Sequence, residues 1–120
     1  MWQIEYYAKR NGTIPVLNFL LSLPPKFRAK AYVEIELLKE HGINLREPYV
    51  KSVKGKQYKG LYQLRIRFGS DSSRIFYYLY HQNTFVLLHA FLKKSNSTPI
   101  VELEKAMKNK TDYEMRCNDE

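Results

Sequence analysis

The chain has 120 residues, 44% of them hydrophobic and 27% charged, with one cysteine. These numbers fit a single domain that buries a core without staples, and exclude a disordered chain, a disulfide scaffold and a helical membrane span. The net charge of +8 and pI near 9.6 call for an anionic partner.

The charge is uneven. Residues 111–120 carry a net −3, which leaves +11 on residues 1–110. With 17 aromatics (one Trp, ten Tyr, six Phe), that basic body favours nucleic acid as the partner. The lone Cys117 suits a reducing compartment, and charges at Glu5, Lys9 and Arg10 interrupt any apolar leader, so a cytoplasmic protein is expected.

Residues 2–8 are apolar and aromatic and read as a first strand, closed by Asn11-Gly12. Thr13 is a candidate N-cap and Pro15 suits the first turn of a helix to about residue 21, with Val16, Leu17, Leu20 and Leu21 as its stripe. Pro24-Pro25 breaks it. A second helix is predicted over 25–41, where Phe27, Ala31, Ile35 and Leu38 share one face and Gly42 gives a stop signal. Residues 43–59 read as a lysine-rich loop or edge, with Lys51, Lys54, Lys56 and Lys59. Those lysines suit protection of a sheet edge as well as contact with RNA.

Three strands follow at about 61–68, 74–80 and 84–92, joined by short turns as in a meander. In the first, Tyr62, Leu64, Ile66 and Phe68 alternate with Gln63, Arg65 and Arg67. Residues 69–73 read as the turn, which brings Arg74 close to Arg67. In the last strand, alternation puts Val86, Leu88, Ala90 and Leu92 on one face and Phe85, Leu87, His89, Phe91 and Lys93 on the other, so it is central and covered on both sides. Thr98-Pro99 opens a final helix with Ile100, Leu103 and Met107 as its stripe, and residues 111–120 form a flexible acidic tail. The fold class is α+β in the order β-αα-βββ-α. A helical hairpin covers one face of a small antiparallel sheet, and the arginine face is left open.

Arg65, Arg67 and Arg74 are the main candidates for chemistry. Like charges facing across a sheet destabilise it. The only acidic residue between Glu47 and Glu102 is Asp71, so a bound phosphate is the natural counter-ion. His89 shares their predicted face and could move a proton, or could be a packing histidine. Lys93 and Lys94 end the last strand, and alternation turns Lys93 toward the arginines. Tyr78 and Tyr80 share the Arg74 face and could stack on bases. No metal is expected, because cysteine and histidine pairs at ligand spacing and carboxylate clusters are all missing from the sequence. No cofactor loop is present either: the five glycines are scattered.

GLYQLRIRF at 60–68, Arg74-Ile75-Phe76-Tyr77, VLLHAFLKKS at 86–95 and Thr98-Pro99 before a helix occur in this order. Together they resemble the phage-derived Gp49-like branch of the HigB/RelE toxins, over residues 3–116. The resemblance implies a RelE-like fold and the toxin of a type II toxin–antitoxin pair. It implies a metal-independent endoribonuclease that cleaves mRNA on the ribosome by attack of the 2′-hydroxyl, and a HigA-like helix-turn-helix antitoxin as partner. By resemblance Arg74 stabilises the transition state and Lys93 and Lys94 belong at the cleft. The catalytic set is then Arg65, Arg67, Arg74, Lys93 and His89, with Lys54, Lys56, Lys59, Tyr78 and Lys94 contacting RNA. Some relatives place a proton-transferring tyrosine near the start of the final helix, where this chain has Pro99-Ile100-Val101. Two rivals remain: a ParE-like gyrase inhibitor of the same fold, and a non-enzymatic RNA-binding module.

Overall fold

Two proline-initiated helices lie between the first strand and the rest of the sheet, and that spacing sets the topology. In the computed structural model, which describes residues 1–118, β1 (Gln3–Tyr6) leads into α1 (Pro15–Ser22) and α2 (Pro25–His41). Then come β2 (Val50–Ser52), β3 (Tyr62–Phe68), β4 (Asp71–Tyr80), β5 (Thr84–Leu92) and α3 (Ile100–Asn118). The sheet order is β1-β5-β4-β3-β2. β1 pairs with β5 in parallel, so the sheet is mixed and not wholly antiparallel as expected. The helical hairpin carries the chain from β1 to the far edge of the sheet, where β2 begins, and the meander β2-β3-β4-β5 ends beside β1; no tight turn joins β1 to β5, so the pair is free to be parallel. The lysine-rich region supplies an edge strand, with Val50 opposite Leu64 and Ser52 opposite Tyr62.

Helices cover both faces. Val16 and Leu20 of α1 and Phe27, Ala31, Ile35 and Leu38 of α2 bury against Leu64, Ile66, Ile75, Tyr77 and Leu87. At roughly 1.5–3 kcal/mol per large apolar side chain, this layer is the main source of stability. Lys30 on α2 donates to the Arg67 carbonyl at 2.8 Å, so the hairpin also grips the far end of β3. On the opposite face Leu103, Ala106 and Tyr113 of α3 pack on Phe76, Tyr78, Val86, Leu88 and Phe91. The arginine face is therefore half covered, where the sequence suggested an open one.

Three further departures have local causes. The hairpin between β3 and β4 is a two-residue turn, since Phe68 pairs with Asp71. Gly69 takes φ +63° at the first turn position, where a type II′ turn needs glycine. α1 starts after Ile14, with no side-chain cap from Thr13. α3 runs on through Asn118, where residues from 111 were expected to be loose, and buries Leu103, Ala106, Asn109 and Tyr113 while Ile100 stays exposed. The last two residues of the expected acidic tail lie outside the described residues.

The strict alternation predicted for β5 breaks at Leu88. Phe76 pairs with His89 but Tyr77 pairs with Leu87, so Leu88 is the extra residue of a bulge. Phe85 and Leu87 face the helical hairpin, Val86 and Leu88 face α3, and past the bulge Phe91 faces α3 while Ala90 faces the hairpin. A bulge leaves a backbone group without a ladder partner. Asn109 supplies one, its side-chain amide donating to the Leu88 carbonyl at 2.8 Å. This bond fixes α3 over β5 and leaves β3 and the start of β4 uncovered.

Candidate active site

The uncovered part of that face holds the arginines. Arg65 lies directly opposite Arg74, and Arg67 opposite Ser72. The sequence reading had paired Arg74 with Arg67; the tighter turn shifts the partner by one row. Directly opposed Cβ atoms sit about 5 Å apart, so two guanidinium groups leave the sheet side by side. Arg74 is only 6% exposed. Its partners are the Ser72 hydroxyl at 2.6 Å and the Ser73 carbonyl at 3.1 Å, both neutral. Among the described residues no carboxylate pairs with Arg65, Arg67, Arg74 or Lys93. Burial, and then the charges of Arg65 and Arg67, lower the Arg74 pKa to about 10. The guanidinium stays charged at neutral pH, but against desolvation and repulsion.

A cavity of about 350 Å³ opens here, lined by Arg67, Arg74, Lys93 and Lys94 with Ser72 and Ser95. Asp71 is its only acidic wall and pairs with none of these cations within 4 Å. Lys93 reaches the site because its backbone N–H donates to the Ser72 carbonyl at 2.8 Å, which extends β5 past its last regular residue. Its ammonium donates to the Ser95 carbonyl at 2.5 Å. Burial comes first, then Arg74, Arg65 and Lys51, in lowering the Lys93 pKa. Lys51 is the residue that sequence reading missed at this site. It pairs with Gln63 on edge strand β2 and so shares the face of Arg65. The period-two pattern of β3 pointed to it, but only once β2 was known to be a strand.

The other candidates divide. Lys54, Lys56 and Lys59 are exposed in residues 53–61, past the end of β2, and Lys54, like Lys51, lines a different cavity beside Tyr62 and Phe85. They do not join the arginines. Tyr78 is buried under α3, edge-on to Tyr80 and Tyr113, with the Lys110 ammonium 4.8 Å above its ring. It has no free face for a base, which corrects its place as an RNA-stacking residue. Alternation put it on the correct face but could not show that the last helix extends over it. His89 lies on the arginine side of the sheet, between the rings of Phe76 and Phe91. Its Nε2 is 2.6 Å from Glu102 Oε1 on the first turn of α3, and it lines a separate cavity with Lys105 and Asn109. The geometry makes it a packing and tethering residue. Among the described residues no three His, Cys, Asp or Glu side chains gather to hold a metal ion, and no helix is long and apolar enough to cross a membrane.

A mixed five-stranded sheet with a helical hairpin on one face, a C-terminal helix on the other and a basic cavity beside that helix is consistent with the RelE-like fold. Residues 18–111 match the family described as phage-derived protein Gp49-like, so the chain belongs to that family, a RelE/HigB-like toxin family. No curated protein matches the chain.

Proposed function

We propose that this protein is the toxin of a type II toxin–antitoxin pair and acts as a metal-independent endoribonuclease on mRNA engaged with the ribosome, held in check by a HigA-like antitoxin. One observation carries the reading. Arg74 is buried beside Arg65 and Arg67 without a carboxylate, an arrangement that is costly in the free protein and repaid when an anion binds. A scissile phosphate is that anion.

The RNA 2′-hydroxyl attacks the adjacent phosphorus, the bond to the 5′-oxygen breaks and that oxygen takes up a proton from water, and a 2′,3′-cyclic phosphate and a 5′-hydroxyl result. Arg74 and Arg65 hold the non-bridging oxygens as charge builds on them. Lys93 takes the proton of the 2′-hydroxyl, because its lowered pKa makes the neutral amine more accessible. Arg67, exposed at the rim, guides the backbone in.

Induced expression followed by mapping of new RNA 5′ ends tests this. Growth should stop, with 5′-hydroxyl ends appearing within mRNA. Cleavage should persist in EDTA when the ribosome is kept intact, and fail on RNA with a single 2′-deoxy residue at the cut. Arrest of DNA synthesis before protein synthesis, with intact RNA, would replace this reading with gyrase inhibition.

A further inference from the structure

On the other flank of α3 lies a larger cavity, about 700 Å³, walled by Tyr7, the residues after β1, His89 and the middle of α3. Its charged lining is Lys9, Arg10, Lys105 and Lys108 against one carboxylate, Asp112. That carboxylate is already engaged. It accepts from the Tyr7 hydroxyl at 2.6 Å and from Arg116 at 2.8 Å, with Arg10 3.7 Å away. Lys9, Lys105 and Lys108 are exposed and form no ion pair among the described residues. Among the described residues the three lysines of this cavity, like the cations of the arginine cavity, have no carboxylate within 4 Å.

The two cavities meet the same stretch of chain at the end of β5. Lys93 lines one and His89 the other, four residues apart on the β5 chain, or about 13 Å at ~3.3 Å per residue. The acidic residue between them, Glu102, turns its carboxylate onto His89 at 2.6 Å and lines neither cavity. The lining suits an extended polyanion better than a small ion. The lysines are long and exposed, and the buried donors in the wall, Tyr7 and Asn109, are already bonded to Asp112 and to the Leu88 carbonyl. A chain of evenly spaced phosphates tolerates such loose contacts and gains from counter-ion release. An acidic protein segment would be attracted too, but the alignment of two unneutralised cavities along one side of the sheet favours a strand that passes through both.

We propose that Lys9, Arg10, Lys105 and Lys108 form a second phosphate-backbone site, which holds the same single-stranded RNA a few nucleotides from the arginine cavity. The identity of the strand rests on the nuclease reading above; the residues are independent of it.

The test uses a non-cleavable RNA of roughly a dozen nucleotides, with 2′-deoxy at the cut, titrated by fluorescence anisotropy at several salt concentrations. Lys105→Gln/Lys108→Gln should bind it several-fold more weakly. The slope of log K against log salt should fall by about 1.4, or ~0.7 per lost phosphate contact. Lys26→Gln/Lys39→Gln, the same charge change on exposed positions of α2, should alter neither quantity. The loss should shrink for a fragment too short to reach from one cavity to the other. Unchanged affinity and slope in the Lys105/Lys108 variant would overturn the second site even if the wild type cleaves RNA. A wild type that cleaves nothing, yet binds RNA with this Lys105/Lys108 dependence, would remove the nuclease reading and leave the site standing. Loss of poly-glutamate binding with RNA binding intact would assign the cavity to an acidic protein and overturn the proposal.

Discussion

Arg74 and Arg116 are both arginines held against the α3 side of the sheet, and their surroundings are opposite. Arg116 bonds Asp112 at 2.8 Å, donates to the Ala8 carbonyl and lies 5.5 Å over the Tyr7 ring. Tyr7 in turn donates to Asp112, and burial together with that bond pushes its pKa up to about 12. Arg116 and Asp112 offset each other there, and the result is a latch that pins α3 to the end of β1. Arg74 is the more buried of the two and has neutral acceptors and two repelling arginines. An arginine paired with a carboxylate is explained by folding. An uncompensated one asks for something the free chain does not contain.

Removing Arg74 should break the comparison most visibly. Arg74→Ala should lower cleavage about a hundred- to thousand-fold, roughly 3–4 kcal/mol of transition-state stabilisation. Arg74→Met should melt at or above the wild-type temperature, because it deletes an unpaired buried charge and keeps the volume. Phosphate should raise the melting temperature of the wild type and not of Arg74→Met. A variant that unfolds early, or a folded variant with full activity, would make Arg74 the structural arginine and end the contrast.

Lys93→Gln should cost about a hundredfold in rate if Lys93 takes the proton. The neutral amine is the active form, so the wild-type rate should climb with pH and level off above the Lys93 pKa, which lies below the ordinary 10.5. The Gln variant should lack the rising limb. A wild-type rate independent of pH over that limb would reduce Lys93 to a fixed charge.

Much of this contrast was legible in the sequence, and the illegible part has a definite cause. Alternation in GLYQLRIRF placed Arg65 on the face opposite to Leu64 and Ile66, and the scarcity of acids nearby already marked the cluster. Both hairpin helices and all of β5 were readable from proline, glycine and apolar spacing. Three things were not. The bulge at Leu88 violates the period that reveals a strand, so Phe85 and Leu87 were assigned to the wrong face. The reach of α3 depends on the Tyr7–Asp112–Arg116 contacts, which join residues more than a hundred positions apart. Local signals at Thr111 and Asp112 therefore predict fraying, and with it an uncovered Tyr78. The edge strand at Val50 is three residues long, too short for any periodicity to register.

The latch gives the next effect. Arg116→Ala should destabilise the fold by about 1–3 kcal/mol, or several degrees, through the lost bonds and the freed Asp112. The folded fraction should cleave normally. Asp112 also sets a pH limit. The Tyr7 hydrogen bond, then Arg116 and Arg10, hold its pKa below the ordinary 3.8 against the opposing effect of burial. A depressed carboxylate contributes stability that is present above its unfolded value and lost as pH falls through the folded one. Melting temperature should therefore fall more steeply below pH 3.8 in the wild type than in Asp112→Asn. Parallel acid profiles for the two would remove the carboxylate from the latch.

The smallest expected effect is the most specific. Lys51 stands on the edge strand, one row from Arg65, and is among the charges that depress Lys93. It is exposed, so its direct pull on a phosphate is screened and worth less than about 1 kcal/mol. Lys51→Gln should raise KM a few-fold with kcat nearly unchanged, and reduce the salt slope of RNA binding by about 0.7. It should also move the rising limb of the pH–rate profile upward, because removing a neighbouring positive charge lets Lys93 hold its proton longer. Lys54→Gln carries the same change in net charge but lies beyond the end of β2 and is not among the charges that depress Lys93, so it should leave that limb where it is. Equal shifts in the two variants would mean that Lys93 senses only the overall field of a basic protein. A shift confined to Lys51→Gln would tie the edge strand to the site, and extend the uncompensated cluster from four cations to five.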